Sequence, residues 1–298
     1  MIPTNDFCAF ILTHGRADRV HTYTTLRKAG YTGKIFVVID DEDKTGDEYR
    51  KRFGDEVLVF SKTEIAQRFD EGDNFNDRRA IFYARNACFD LAKQVGCKYF
   101  IQLDDDYTAF FIRHNSEGRY VSARVKTTMD EVFASLVEFF EKSKAQTVAM
   151  SQGGDHIGGG GTIDGKGGQG TPSLRRKAMN SFICSTDRPF EFVGRVNEDV
   201  STYTSAGRRG SLFFTVIQAQ LVQLQTQANA GGMSEMYAAS GTYVKSFYSV
   251  MYAPSCVKVG TMGDPRSPHY RLHHKINWHA TAPKILRETA CKTRQPNG

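Results

Sequence analysis

The sequence lacks any apolar run long enough to cross a lipid bilayer. Its first six residues also lack the basic stretch and the following apolar segment that mark a secretory signal peptide. Both absences argue against a membrane-embedded or exported protein. We therefore expect a soluble protein with no membrane partner, located in the cytoplasm.

Closely paired cysteines are also lacking. No two cysteines have the C-x-x-C spacing that is typical of zinc and redox motifs. Several lie inside apolar runs, where a free thiol behaves as a small hydrophobic side chain. This pattern favours a reducing compartment over a disulfide framework. The six cysteines are Cys8, Cys88, Cys97, Cys184, Cys256 and Cys291.

A strong bias of charge is lacking as well. The chain has 39 Lys and Arg residues against 33 Asp and Glu residues, which gives a net charge of +6. A mildly basic protein of this kind can bind a polyanion, but the same balance also serves ordinary solubility. Charge alone therefore identifies no partner.

Apolar runs and helical patterns alternate along the first part of the chain. Apolar runs at 7–12, 35–39 and 57–60, with helical patterns at 18–29 and 81–95, predict an α/β fold with a mostly parallel sheet and helices on both faces. The pattern is less regular after residue 110. We expect one domain over residues 1–298, made of a regular half, 1–110, and an irregular half, 111–298. The later helices are predicted near 129–142, up to 207 and near 240–252, and the later strands at 147–150 and 212–227.

The apolar run from Tyr99 to Leu103 ends in three consecutive carboxylates, Asp104, Asp105 and Asp106. Three adjacent negative charges repel one another unless a cation binds them. In an extended chain Asp104 and Asp106 point to one side and Asp105 to the other. Carboxylate pairs of this kind suit Mg²⁺ or Mn²⁺, which leave coordination positions free for phosphate oxygens. The alternative is a solvated acidic turn after a buried strand.

Two further polar segments follow predicted strands. Thr13, His14, Gly15 and Arg16 follow the first apolar run, and Asp40-Asp41 follow the second. In open α/β sheets ligands bind beyond the carboxyl ends of the strands. We therefore expect both segments to face the same crevice as the three acids.

Two polar motifs have a structural and a functional interpretation. Arg85-Asn86, on the helix before the acidic strand, could reach a diphosphate, but taken alone it favours a solvated pair. Asn197-Glu198-Asp199 precedes a predicted helix, where acids cap free N–H groups or act as a general base.

The segment from His269 to His279 contains four of the eight histidines and the only tryptophan. Imidazoles can complete a carboxylate metal site, although an exposed tail is the alternative. The glycine-rich stretch from Gly153 to Gly170 predicts a mobile loop. It matches a phosphate-binding loop only in part, because Gly167 stands where that pattern needs a hydroxyl group.

The order of these motifs resembles the GT-A class of nucleotide-sugar glycosyltransferases. In that class an acid follows the second strand, an Ala-Arg-Asn run precedes an Asp-x-Asp strand end, and a later Glu-Asp motif supplies the base. More narrowly, the chain resembles the phage TET-associated glycosyltransferases, which modify hydroxymethylpyrimidines in DNA. That likeness rests on 11–16, 26–31, 102–107, 151–154 and 273–278.

The resemblance implies a GT-A-like domain whose half 1–110 binds the nucleotide and whose half 111–298 binds the acceptor. It implies a UDP-sugar donor, with UDP-glucose as the expected sugar nucleotide, and Mn²⁺ or Mg²⁺ held by Asp104 and Asp106 with His273 or His274. Asp199 and Glu198 take the catalytic roles. The donor-binding residues are Thr13, His14, Arg16, Asp40, Asp41, Arg85, Asp104, Asp105 and Lys275.

A DNA acceptor in the cytoplasm of a phage-infected host follows from the same resemblance. Its candidate phosphate contacts are Arg175, Arg176, Lys177, Arg208 and Arg209, for which plain solvation is the alternative. Three other functions remain open at this point. They are transfer to a protein, lipid or polysaccharide, sugar nucleotidyl transfer, and a DNA-binding module without activity.

Overall fold

The computed structural model describes residues 6–75, 77–156, 172–224, 244–266 and 270–286. The strands are β1 Phe7–Leu12, β2 Lys34–Asp40, β3 Val57–Phe60, β4 Tyr99–Asp104, β5 Tyr107–His114, β6 Tyr120–Arg124, β7 Thr147–Ser151, β8 Ser181–Ser185, β9 Phe213–Gln223, β10 Val257–Met262 and β11 Arg271–Ile276. The α-helices are α1 His21–Lys28, α2 Gly46–Phe53, α3 Lys62–Arg68, α4 Phe82–Gln94, α5 Met129–Ser143, α6 Glu198–Gly207, α7 at 244–252 and α8 Trp278–Thr281.

Nine strands of the described chain form one sheet in the order β3-β2-β1-β4-β8-β7-β9-β5-β6. The four pairs β3-β2, β2-β1, β1-β4 and β7-β9 are parallel, whereas the pairs made by β8 and β5 with their neighbours are antiparallel. Seven of these nine strands therefore run in one direction, and β5 and β8 run against them. The predicted mostly parallel α/β sheet is confirmed.

Helices cover both faces of the sheet. Because successive strand residues point to opposite faces, Ala9 and Ile11 of β1 pack with α1 and α5, while Cys8 and Phe10 pack with α3, α4 and α6. β1 is buried along its whole length. A central strand buried on both faces explains why its sequence is continuously apolar.

The predicted elements differ from the structure mainly at their ends. The helix predicted from Asp18 begins at His21, after a short 3₁₀ turn at Ala17–Arg19. Gly30, predicted to close this helix, has a φ of +88°, and a Cβ there would lie 2.4 Å from the backbone carbonyl carbon of Thr127. Only glycine fits such a position without strain.

Several elements were not predicted from the sequence, namely α2, α3, β5, β6, β8 and the hairpin of β10 and β11. That hairpin is followed by α8, whose Trp278 stacks on Tyr203 of α6 with ring centroids 5.9 Å apart. The segment that carries the histidines is therefore packed against α6 and is not an exposed tail.

Some predicted features lie outside the described residues. These are most of the glycine-rich loop, which falls in 157–171, the end of the predicted strand beyond residue 224, His269 and Cys291. The five other cysteines are buried free thiols. No helix within the described ranges combines the length and the apolar character that a membrane span needs.

Candidate active site

The ends of three parallel strands bring the predicted polar segments together. Leu12 of β1 pairs with Val38 of β2 on one side and with Asp104 of β4 on the other. The loop after β1 therefore lies between the acids of β2 and the acids of β4. This is the edge of the sheet where α/β proteins bind ligands.

Asp40 links the first two of these segments. Its Oδ2 lies 2.7 Å from His14 Nδ1, and its Oδ1 lies 3.0 Å from Lys62 Nζ. Burial would raise the pKa of Asp40, but the hydrogen bonds from His14 and Lys62 hold it below its usual value. The same contact raises the pKa of His14. Asp41 is exposed, and its Oδ1 accepts the backbone N–H of Lys62 at 3.0 Å.

Asp105 contacts the loop after β1. Its Oδ2 accepts a 2.6 Å hydrogen bond from Thr13 Oγ1, and its Oδ1 lies 3.2 Å from Arg16 Nη1. Burial raises the pKa of Asp105, and Arg16 opposes that shift. Tyr49 of α2 completes this arrangement, because its hydroxyl bonds to Thr13 and accepts the Arg16 backbone N–H. Asp105 thus fixes the shape of the loop.

Arg85 is buried, so the solvated interpretation of Arg85-Asn86 is wrong. Arg85 is only 2% exposed, and its guanidinium lies 4.8 Å from the ring centre of Phe182. Its Nη2 donates to Asp104 Oδ1 and its Nε donates to Glu198 Oε1, both at 3.0 Å. Asn86 is buried too, and its side chain bonds to the backbone of Phe192 in both directions. Arg85 therefore joins the end of β4 to the start of α6.

Carboxylates outnumber cations in this part of the site. Burial raises the pKa of Asp104 to about 7, with Arg85 opposing the shift and Asp106 adding to it. Burial and the charge of Asp105 raise the pKa of Asp106 to about 6. Burial and the charge of Asp199 raise the pKa of Glu198 to about 7. One Asp106 oxygen, Oδ1, is buried and has no hydrogen-bond partner among the residues that the structure describes.

Asn197 precedes α6 but does not cap it with its side chain. Its φ is +60°, and its side-chain amide instead bonds to Ser249 of α7 and lies 3.4 Å from His274 Nδ1. Asp199 is partly exposed, and its Oδ1 accepts the N–H of the next residue, Val200. The side chain of Asn197 is thus not a cap, whereas Asp199 accepts a first-turn N–H of α6, as the capping alternative expects, and stays partly open to solvent.

The two predicted histidine ligands lie next to each other on β11. The ring centres of His273 and His274 are 4.1 Å apart, and the buried Nε2 of His274 has no hydrogen-bond partner among the described residues. Burial and nearby cations, Lys177 first among them, lower the pKa of His273 to about 4 and that of His274 to about 2. Both imidazoles are therefore neutral at pH 7. Lys275 is exposed.

The structure does not bring the four predicted metal ligands into one compact cluster. No three His, Cys, Asp or Glu side chains in the described part of the chain lie close enough to share a metal ion. Asp104 and Asp106 do interact electrostatically, and each is near Asp105. Of the four predicted metal ligands, Asp104 and Asp106 are therefore the pair that a metal ion at the end of β4 would bind.

The predicted DNA contacts differ in their surroundings. Arg175 is exposed, Arg176 forms an ion pair with Asp155, and Lys177 is partly buried near Asp199. Arg208 and Arg209 are exposed at the end of α6, where Arg208 donates to Ser255 Oγ at 2.9 Å.

Sequence reasoning missed Lys62 as part of the site. Lys62 follows β3, the third parallel strand, so the argument that selected Asp40 also applies to it. Tyr203 was missed as well. Its buried hydroxyl has no hydrogen-bond partner in the described part of the chain and lies within range of the Asp199 charge.

The comparison that decides the family is with a protein-family model. The model of the TET-associated glycosyltransferases matches residues 7–232, which include β1, the strand-end acids and α6. The chain belongs to this family. It is therefore a glycosyltransferase, and its mixed sheet with helices on both faces agrees with the GT-A fold. No curated protein sequence matches the chain.

Two solved structures are similar to this glycosyltransferase at low identity. Glucosyl-3-phosphoglycerate synthase from Mycobacterium tuberculosis, in complex with Mg²⁺ and UDP, is 9% identical over 91% of this chain and 87% of that chain, with a TM-score of 0.45. The mannosyltransferase PcManGT from Pyrobaculum calidifontis, in complex with GDP-Man and Mn²⁺, is 10% identical over 83% and 73%, with a TM-score of 0.45. Such distant likenesses do not identify the substrates of this chain.

Proposed function

We propose that this enzyme transfers the sugar of a UDP-sugar to the hydroxyl of a 5-hydroxymethylpyrimidine in DNA, with Mg²⁺ or Mn²⁺ as cofactor. The observation that carries the proposal is the pair of Arg85 contacts. They join Asp104 to Glu198, and Glu198 is 113 residues from Arg85 along the chain. The acids at the end of β4 and the acids at the start of α6 thereby belong to one site.

The strand-end carboxylates suit a divalent cation. Asp106 has a buried oxygen without a partner, and the charge of Asp106 raises the pKa of Asp104. A bound cation would relieve both conditions. Mg²⁺ in proteins is often held by one or two carboxylates, while water and substrate phosphates fill the other positions. Asp104 and Asp106 would hold the ion, which would stabilise the negative charge of the leaving nucleotide as a Lewis acid. His273 and His274, which are neutral, remain candidate ligands.

Asp199 is the proposed general base. It is partly exposed, so an acceptor hydroxyl can approach its carboxylate and give up a proton to it. Glu198, in contrast, is committed to Arg85 at 3.0 Å. We therefore assign proton transfer to Asp199 and assign Glu198 the task of positioning Arg85.

The loop after β1 and the acids after β2 are the proposed donor site. Thr13 and Arg16 are held by Asp105, and Asp40 is held by His14 and Lys62. Side chains fixed in this way bind a ligand with little further loss of entropy. UDP as the nucleotide, and glucose as the sugar, follow from the family resemblance.

The DNA acceptor, and with it the cytoplasm of a phage-infected host, also rests on that resemblance and on the basic residues 175–177. The test is incubation of the enzyme with a panel of UDP-sugars, Mn²⁺ and DNA with or without 5-hydroxymethylpyrimidines. We expect a mass increase of one hexose on the modified nucleoside after digestion, and none after treatment with EDTA. If UDP is released but no hexose is added to the DNA, the proposed DNA acceptor is contradicted.

A further inference from the structure

Lys177 is partly buried, unlike the exposed Arg175 two residues before it. The segment around it is fixed to β9, because the carbonyl oxygen of Lys177 accepts a 2.8 Å hydrogen bond from Thr215 Oγ1. The next residue, Ala178, is fully buried. Burial lowers the pKa of the Lys177 ammonium, and the charge of Asp199 acts against that shift. Lys177 is thus anchored beside the proposed base.

The ammonium group of Lys177 has no close partner among the described residues, since it forms no hydrogen bond and no ion pair with them. The opposite is true of Arg176, which pairs with Asp155. A partly buried cation without a counter-ion is unfavourable, because desolvation is not offset by a contact. A substrate anion that binds next to Asp199 would supply the missing partner.

Two neighbours of Lys177 also indicate a ligand at this place. Tyr203, on the same helix as Asp199, is 2% exposed, and its buried hydroxyl has no hydrogen-bond partner within the described ranges. The charges of Asp199 and Arg176 both act on that hydroxyl. On the other side, the charge of Lys177 acts on His273 and His274 of β11. The charge of Lys177 is therefore within electrostatic range of both the proposed base and the hairpin.

Three consecutive cations end at Lys177. Arg175 is exposed, Arg176 and Lys177 are partly buried, and the charge of Asp199 acts on Lys177. A polyanionic chain bound along the first two residues would bring one phosphate to the third. In a pyrimidine nucleotide the 5-substituent and the 5′-phosphate lie on the same side. One nucleotide can thus offer its hydroxymethyl group to Asp199 and its phosphate to Lys177.

We propose that Lys177 binds the phosphate on the 5′ side of the acceptor nucleotide. This inference rests on the proposed function and adds that the enzyme recognises its acceptor as a nucleotide, through a specific phosphate, and not only through the base. Tyr203 lines the same subsite.

The test is a double-mutant cycle between the protein and the DNA. The substrates are oligonucleotides with a single 5-hydroxymethylcytosine, in which the 5′ linkage, the 3′ linkage or neither is replaced by an uncharged methylphosphonate. The proteins are the wild type, Lys177→Gln, Lys177→Arg and the control Lys126→Gln, which removes the charge of an exposed lysine. The measurement is kcat/KM for sugar transfer.

For the wild type and the control we expect the neutral 5′ linkage to lower kcat/KM by about ten-fold or more, the usual effect of losing a charge-assisted hydrogen bond. On the oligonucleotide with no replaced linkage, Lys177→Gln should lower kcat/KM by the same factor. On the oligonucleotide with the neutral 5′ linkage, its kcat/KM should fall by less than about a further two-fold. Lys177→Arg should restore most of the dependence on the 5′ charge. If Lys177→Gln fails to fold, Lys177→Arg still tests the inference, because it keeps the charge and should keep the dependence on the 5′ phosphate.

Two results would overturn the inference while leaving the proposed function intact. The losses from Lys177→Gln and from the neutral 5′ linkage could multiply, which shows independent effects. Alternatively, Lys177→Gln could raise the donor KM in UDP-sugar hydrolysis, which assigns its partner to the donor diphosphate. If no oligonucleotide receives sugar although the donor is hydrolysed, the DNA acceptor itself is wrong, and the inference is wrong with it.

Discussion

The donor side and the acidic side of the site lie at the same edge of the sheet but differ in charge balance. On the donor side, Asp40 has two cationic or protonatable partners, and its pKa is lowered. On the acidic side, Arg85 is the close cation of both Asp104 and Glu198, Asp106 forms no ion pair with the described residues, and the pKa values of these three acids are raised to about 7, 7 and 6. The donor side is complete without a ligand, whereas the acidic side lacks positive charge.

This difference indicates two ways of preparing a site. Paired side chains such as His14 and Asp40 keep their geometry before the substrate arrives, which reduces the entropy lost on binding. Unpaired carboxylates such as Asp106 reduce stability until a cation binds. We therefore expect substitutions of these carboxylates to lower activity and to maintain or raise stability. One residue of the acidic side is an exception, because it pairs with two of the buried carboxylates.

That residue is Arg85, and its replacement should have the largest effect. Arg85→Met leaves the buried carboxylates of Asp104 and Glu198 without their partner, which should lower the free energy of unfolding by about 3–5 kcal/mol. Chemical denaturation monitored by circular dichroism measures the change. Arg188→Met is the matched control, because Arg188 also contacts a carboxylate and an aromatic ring but is 26% exposed. It should lose less than about 1 kcal/mol.

A second substitution sharpens this test. If uncompensated charge causes the loss, Glu198→Gln in the Arg85→Met background should restore part of the stability, since it removes one of the two orphaned carboxylates. An unchanged or lower stability of the double variant would mean that Arg85 acts through packing against Phe182 and not through its charge.

The next largest effect is expected at Asp106. Asp106→Asn removes the charge that raises the pKa of Asp104 but keeps the shape of the side chain. We expect Mn²⁺-dependent turnover of the UDP-sugar to fall by about 10²–10³-fold, the effect of losing one electrostatic group in comparable sites. The melting temperature should stay the same or rise, because the substitution removes a negative charge that repels Asp104. Asp47→Asn, at a fully exposed carboxylate, is the control. A large fall in melting temperature would assign Asp106 a structural role.

The donor side was easier to predict from the sequence than the acidic side, because the order of the strands along the chain is enough to place its residues. Parallel strands that follow one another along the chain end at the same edge, so the positions of Thr13 and Asp40 followed from the apolar runs alone. β8 was not predicted, because its antiparallel pairing with β4 joins segments about 80 residues apart, with Ile101 opposite Ile183. Nothing local in such a segment indicates where it inserts.

Arg85 shows why the acidic side could not be derived in the same way. The apolar stripe of α4 implied that Arg85 and Asn86 face solvent, whereas the helix is buried on several sides. The partner that makes burial of Arg85 possible, Glu198, is 113 residues away. A charged residue in a helix is assigned to the surface when its partner is unknown, and only the fold supplies that partner.

The smallest effect is expected on the donor side, at His14. The contact with Asp40 raises the pKa of His14 above its ordinary value of 6.5. Its contribution to stability is therefore complete below pH 6.5 and is lost as the pH rises through the higher pKa of the folded state. The pKa of Asp40 is lowered from 3.8, so Asp40 stays ionised over this range. Because His14 is 48% exposed, solvent screens the pair.

The measurement is the melting temperature at about pH 6 and pH 8. The wild type should lose about 1 °C more than His14→Gln between the two values, since the variant has no imidazole to deprotonate. Other groups, including Asp104 and Glu198, titrate in both proteins and cancel in the difference. His279→Gln, at an exposed histidine, should keep the wild-type pH dependence. Equal losses in the wild type and His14→Gln would show that the ion pair adds nothing, and that the donor side is held by the Thr13–Asp105 hydrogen bond and not by balanced charge.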